Sequence, residues 1–75
     1  MTLHASAFDY LAPSQSQVEK MTHLRQKTGE FGRELERILP DGPDKTHVLR
    51  MLRTLAMWGN VAITRQPDGS PRLDD

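Results

Sequence analysis

The chain has 75 residues, ten basic and ten acidic, with no cysteine and a mean hydropathy of −0.63. That length allows one small domain with a modest core. The missing cysteines exclude disulfides and cysteine-ligated zinc, and balanced charge leaves no surplus for general binding to DNA or a membrane surface.

Small scaffolds need a staple. His4, His23 and His47 are too scattered for metal-ligand spacing, so oligomerisation is the one that remains. No stretch is long and apolar enough to span a bilayer or to act as a signal peptide, which makes the cytoplasm the default compartment.

Residues 1–13 read as an extended arm carrying Phe8 and Tyr10, two of only four aromatic residues. Pro13 biases Ala12 away from helical geometry. Ser14-Gln15-Ser16-Gln17 then fits a capping box, in which the Ser14 hydroxyl accepts from the Gln17 amide and the Gln17 side chain reaches back. A helix from about Gln15 to Leu39 follows, with Val18, Met21, Leu24, Thr28, Phe31, Leu35 and Ile38 forming a stripe along one face. Gly29 and Gly32 interrupt good helix formers; they fit close helix–helix approach, a kink or room for a ligand.

Pro40-Asp41-Gly42-Pro43-Asp44 is the clearest break. Pro40 stops the first helix, Pro43 suits the first turn of the next, and Asp41 or Asp44 can cap it. So short a break gives an antiparallel helical hairpin over residues 14–65. The second helix runs from about Asp44 to Arg65. Its apolar positions, from Val48 to Ile63, are wider than one stripe, so a second surface is expected to meet another copy of the chain. Gln66-Pro67-Asp68-Gly69-Ser70-Pro71 ends the helix, and residues 66–75 read as a polar tail, frayed from Arg72 onward. The fold class is therefore all-α, an oligomeric assembly of helical hairpins.

No catalytic constellation, glycine-rich phosphate loop or zinc pattern occurs, so an enzyme is the weak hypothesis and no cofactor is implied. His23 and His47 lack any positioned partner. Anion binding is the better candidate. Arg33 and Arg37 lie among Glu30, Glu34 and Glu36 and read as solvated helical pairs, and Arg50 and Arg53 have the same reading. Arg25 differs, because an arm bearing Tyr10 could fold over it or over its copy in a neighbour. An aromatic face plus a guanidinium suits a nucleotide; the alternative is that Tyr10 caps the hydrophobic seam. Asn60, inside an apolar run, either fixes register across an interface or points into a polar cavity.

The arm Phe8-Asp9-Tyr10-Leu11-Ala12-Pro13, the Leu24-Arg25 step, the Leu39-Pro40 turn and the run Met57-Trp58-Gly59-Asn60-Val61-Ala62-Ile63-Thr64-Arg65 occur in that order. Over about residues 7–65 the chain resembles a family of small phage proteins that counter bacterial CBASS immunity. The resemblance implies helical proteins assembled as hexamers in the cytoplasm of the infected host. These act as sponges, holding cyclic oligonucleotide messengers such as cGAMP without cleaving them, so that the downstream effector stays off. It implies cyclic dinucleotides in pockets between protomers, with Tyr10 stacking on bases, Arg25 on phosphate, and Phe8 and Lys27 as further candidates. For members that also hold cyclic trinucleotides, it points to Arg65 and Asn60. Leu11 stands where a histidine is common, and Gly59 where alanine is usual. The competing expectation, from the broad apolar surface of the second helix, is an oligomeric hairpin that docks a partner helix.

Overall fold

The computed structural model describes residues 2–73. Two helices, α1 (Gln15–Ile38) and α2 (Pro43–Thr64), pack as a hairpin, with no strand among the described residues.

The start of α1 is the expected capping box. The Gln17 amide donates to Ser14 Oγ at 3.1 Å, and the Ser14 amide donates to Gln17 Oε1 at 2.9 Å. Pro40 forces its predecessor out of helical geometry, so Leu39 is extended and only closes the last turn, donating to the Leu35 carbonyl at 3.0 Å. Helix α2 starts one residue earlier than expected because Pro43 is its first residue. Neither Asp41 nor Asp44 caps it. Gly42 occupies the capping position with φ +148, a conformation that favours glycine, and glycine has no side chain to accept. The turn is stapled by Lys45 instead, whose Nζ donates to the Glu36 carbonyl at 2.9 Å and pairs with Asp41 at 3.2 Å.

Side chains meet between the helices at two close approaches. A Cβ on Gly32 would lie 3.3 Å from Leu52, and one on Gly59 would lie 2.5 Å from Leu24. These contacts set the register. Gly29 does not serve close approach: a Cβ there would meet only the Arg33 guanidinium of its own helix, at 3.5 Å.

The molecule measures 43 × 28 × 16 Å, one helix layer thick. Its radius of gyration is 15.1 Å, against about 11 Å for a compact domain of this length. A single layer covers each side chain from one side only, and among the described residues no hydrophobic side chain is buried. Val18, Phe31 and Ile38 of the expected stripe are exposed, as are Met51, Leu55, Met57 and Trp58 of α2. Among the described residues the one that is buried is polar, Gln17 at 5% exposure.

Gln17 lies where three parts of the chain meet. Its Nε2 donates to the Ile63 carbonyl at 3.3 Å and to the Arg72 carbonyl at 2.9 Å, joining the start of α1 to the end of α2 and to the tail. The tail itself closes α2, whose last carbonyls need partners from outside the helix. Arg65 N–H donates to Val61 O at 2.8 Å, Arg72 Nε to Ala62 O at 3.1 Å, Arg72 N–H to Thr64 O at 2.8 Å, and Arg72 Nη2 to Arg65 O at 3.1 Å. Gln17 takes Ile63 O. Arg72 is therefore docked rather than frayed, while Leu73 is exposed; Asp74 and Asp75, which complete the expected fray, lie outside the described residues.

The N-terminal segment is not uniformly extended. Residues 5–8 form turns, closed by Ala7 N–H to His4 O and Asp9 N–H to Ser6 O, each at 3.0 Å. His4 N–H donates to Asp68 O at 2.6 Å, so this segment lies against the turn after α2. Gly69 in that turn has φ +89, and a Cβ on it would fall 2.6 Å from the Ala7 Cβ. Gly69→Ala is therefore expected to push the N-terminal segment off the turn and to add backbone strain of about 1–3 kcal/mol. Limited proteolysis cutting faster at residues 5–10 would check it.

The Ser70 hydroxyl and amide, which donate to Asp68 Oδ1 at 2.7 and 3.0 Å, hold the Asp68 carboxyl below its usual range. A carboxylate whose pKa is depressed by folding stabilises the fold above its unfolded pKa, and that contribution is lost as pH falls through the folded value. Acidification is thus expected to loosen the 66–70 turn, visible as a lower protection factor of the Ser70 amide, its exchange rate being compared with the intrinsic rate at the same pH.

Candidate functional site

The aromatic candidates project from this tethered segment. Phe8 is 90% exposed and Tyr10 89%, so neither caps the hydrophobic seam within the chain. Their backbone is nevertheless held. Arg65, the residue that ends α2, sends its guanidinium back across the start of the chain. Nη1 donates to Ser6 O at 2.9 Å and to Gly69 O at 2.6 Å, and Nη2 donates to Asp9 O at 2.5 Å.

Arg25 is little committed within the chain. Among the described residues its guanidinium has one partner, the Thr22 hydroxyl at 3.5 Å, at the limit for a hydrogen bond. Lys27, by contrast, pairs with Glu30 at 3.4 Å, and Arg37 pairs with Glu34. Arg33, Arg50 and Arg53 also lack a carboxylate partner among the described residues, so freedom from ion pairs does not single out Arg25. Bordering hollows does not either, since Arg53 borders two as well; what is particular to Arg25 is the crevice it shares with Leu24 and Asn60. Arg25 borders two hollows, a groove of ≈ 340 Å³ floored by Thr28, Gly29, Gly32 and Ala56, and a smaller crevice of ≈ 140 Å³ shared with Leu24, Met57 and Asn60. The room beside Gly29 is this groove. Arg53 lies on its far wall; sequence reading gave Arg53 a surface role, and the pairing of Gly32 with Leu52 is what puts it there.

The register therefore groups the candidates differently from the expectation. Because Leu24 faces Gly59, Asn60 comes to Arg25 and not to Arg65. Arg65 borders a separate hollow with Trp58, Gln66 and Arg72. Tyr10 and Arg25 are not brought together within one chain. Tyr10 precedes α1, while Arg25 lies ten positions beyond Gln15, about 15 Å along the helix axis. Among the described residues no cluster of three or more histidine, aspartate or glutamate side chains could hold a metal ion, and no helix is long and apolar enough to cross a membrane.

Set beside known proteins, the chain matches no family model, no curated relative and no solved structure.

Proposed function

We propose that this protein is a phage anti-defence sponge, which sequesters cyclic dinucleotide second messengers in the cytoplasm of the infected host without cleaving them. Two separate observations support the reading: Tyr10 is almost fully exposed on a tethered backbone, and Arg25, without a carboxylate partner, borders a crevice shared with Asn60. A flat aromatic face takes a base by stacking, and a guanidinium takes a phosphate. Phe8 supplies a second face beside Tyr10, Asn60 supplies hydrogen bonds beside Arg25, and Lys27 is the weaker cation because Glu30 already holds it.

The two halves of such a site are too far apart in one chain, so they meet between copies. A one-layer molecule with uncovered apolar side chains on α1 and α2 has good reason to assemble, and the sequence resemblance makes a hexamer the expected assembly. Cyclic trinucleotides, to which the same resemblance assigned Arg65 and Asn60, are outside this proposal, since three of the Arg65 donors are engaged by carbonyls.

Calorimetric titration with cyclic dinucleotides tests the reading, followed by heating the complex and chromatographing the released ligand. Intact ligand is the expected product. No binding to any cyclic nucleotide rejects the sponge, and recovery of cleaved product makes the protein an enzyme. The alternative, a module that docks a partner helix, draws on the apolar hollow between Phe31, Leu35, Val48, Met51 and Leu55. Light scattering separates the two: a closed higher assembly fits the sponge, and a monomer or dimer fits the docking module.

A further inference from the structure

We infer that Arg65 is a positioning residue, whose role is to aim the Tyr10 segment rather than to touch a ligand. Its guanidinium reaches three backbone carbonyls from two separate segments: Ser6 and Asp9 on the N-terminal side, and Gly69 in the turn after α2. Asp9 immediately precedes Tyr10. The planar fork suits this task, because donors that diverge in fixed directions hold several acceptors at once, which a lysine ammonium on a flexible stem does not.

Two further contacts converge on the same junction. His4 N–H donates to Asp68 O, and Gly69 lies so close to Ala7 that no larger residue fits without movement. The segment carries few apolar contacts of its own: Phe8 and Tyr10 face outward, and Leu3 is half exposed. Its placement therefore depends on polar tethers, and Arg65 makes two of them, to Ser6 O and Asp9 O.

The base of Arg65 is itself fixed. It closes the last turn of α2 through Val61 O, and its own carbonyl accepts from Arg72 Nη2. The end of α2 thus holds the backbone from which Tyr10 projects, with no side chain of Tyr10 involved. The consequence for ligand binding rests on the sponge reading; the tether itself does not.

The test compares wild type with Arg65→Lys and Arg65→Met in the full-length chain. Helix content by circular dichroism should be retained, while the Ala7 and Asp9 amides should exchange about tenfold faster or more, the change expected on losing hydrogen bonds to a charged group. Chymotrypsin should cut sooner at Phe8 and Tyr10. Lysine should not rescue. Unchanged exchange in both variants overturns the tether. If neither variant folds, the wild type decides: Ala7 and Asp9 amides that exchange as fast as in an unstructured peptide overturn it, and protected ones support it.

Cyclic dinucleotide titration then separates positioning from contact through a double-mutant cycle with Tyr10→Ala. If Arg65 acts through Tyr10, Arg65→Lys weakens binding in the native background and adds nothing once Tyr10 is alanine. Independent, additive losses would make Arg65 a ligand contact and overturn the inference. If wild type binds no cyclic dinucleotide, the sponge reading fails, and the exchange and cleavage measurements still decide the tether.

Discussion

Replacing Gln17 with leucine should lower the unfolding midpoint by at least about 10 °C. Leucine is close in size and apolar, so the change tests hydrogen bonding rather than volume. It removes both Nε2 donors and the Oε1 acceptor, stranding Ile63 O and Arg72 O and breaking the hydrogen bond from the Ser14 amide. A buried group left unpaired costs about 1–3 kcal/mol. Discounting Ser14 and Arg72, which water can partly reach, the sum is about 2–4 kcal/mol, and each kcal/mol moves the midpoint of so small a domain by about 4–8 °C. The comparison has to be made at one protein concentration, since assembly makes the midpoint concentration-dependent. Gln17→Glu should be at least as damaging at neutral pH, because a carboxylate would face two carbonyls. It should recover in part under acid, where the protonated carboxyl regains one donor. A shift below about 3 °C for the leucine variant would show that the junction tolerates loss of these bonds.

The second large effect concerns binding. Tyr10→Ala is expected to weaken cyclic dinucleotide affinity by about tenfold to a hundredfold, because stacking of a base on an aromatic side chain is worth about 1–3 kcal/mol. Arg25→Ala should cost about tenfold or more, the value of a charge-assisted contact. Lys27→Ala should cost less than either, since Glu30 already holds that ammonium. Neither Tyr10→Ala nor Arg25→Ala should disturb folding: Tyr10 is almost fully exposed, and Arg25 makes only one long hydrogen bond. Calorimetry for affinity and light scattering for assembly check both statements. Affinity unchanged in both variants would reject this assignment of the site, and collapse of the assembly would reassign Tyr10 to the interface. Binding that weakens with added salt in wild type but less so in Arg25→Ala would locate the phosphate contact at Arg25.

The candidate site was legible only in pieces. Tyr10, Phe8 and Arg25 could be named together only through the family resemblance; the residues alone left Tyr10 as a cap on the hydrophobic seam and Arg25 as a surface charge. How the candidates group in space was not legible. The resemblance grouped Asn60 with Arg65, yet the facing of Leu24 and Gly59 puts Asn60 on the crevice that Arg25 borders. Arg53 read as a solvated charge until the same register put it on the groove wall across from Arg25. Arg65 read as a cation complementing a helix end, which its position allows. Nothing local marks the carbonyls it binds, which lie 56 and 59 residues away on the N-terminal side.

By itself the sequence determined the two helices, their boundaries to within a residue, the capping box at Ser14 and Gln17, and the turn from Pro40 to Pro43. Each of these rests on interactions between residues close in sequence, from a proline acting on its neighbour to the capping box three residues apart, so the local pattern contains most of the cause. The tertiary structure alone decided that the lone buried residue among those described is a glutamine, that Arg72 closes α2, and that the segment before α1 is tethered by the end of α2. Those contacts join groups that only the packing of the hairpin makes neighbours. A side chain able to donate to any carbonyl carries no sign in the sequence of which one it will meet.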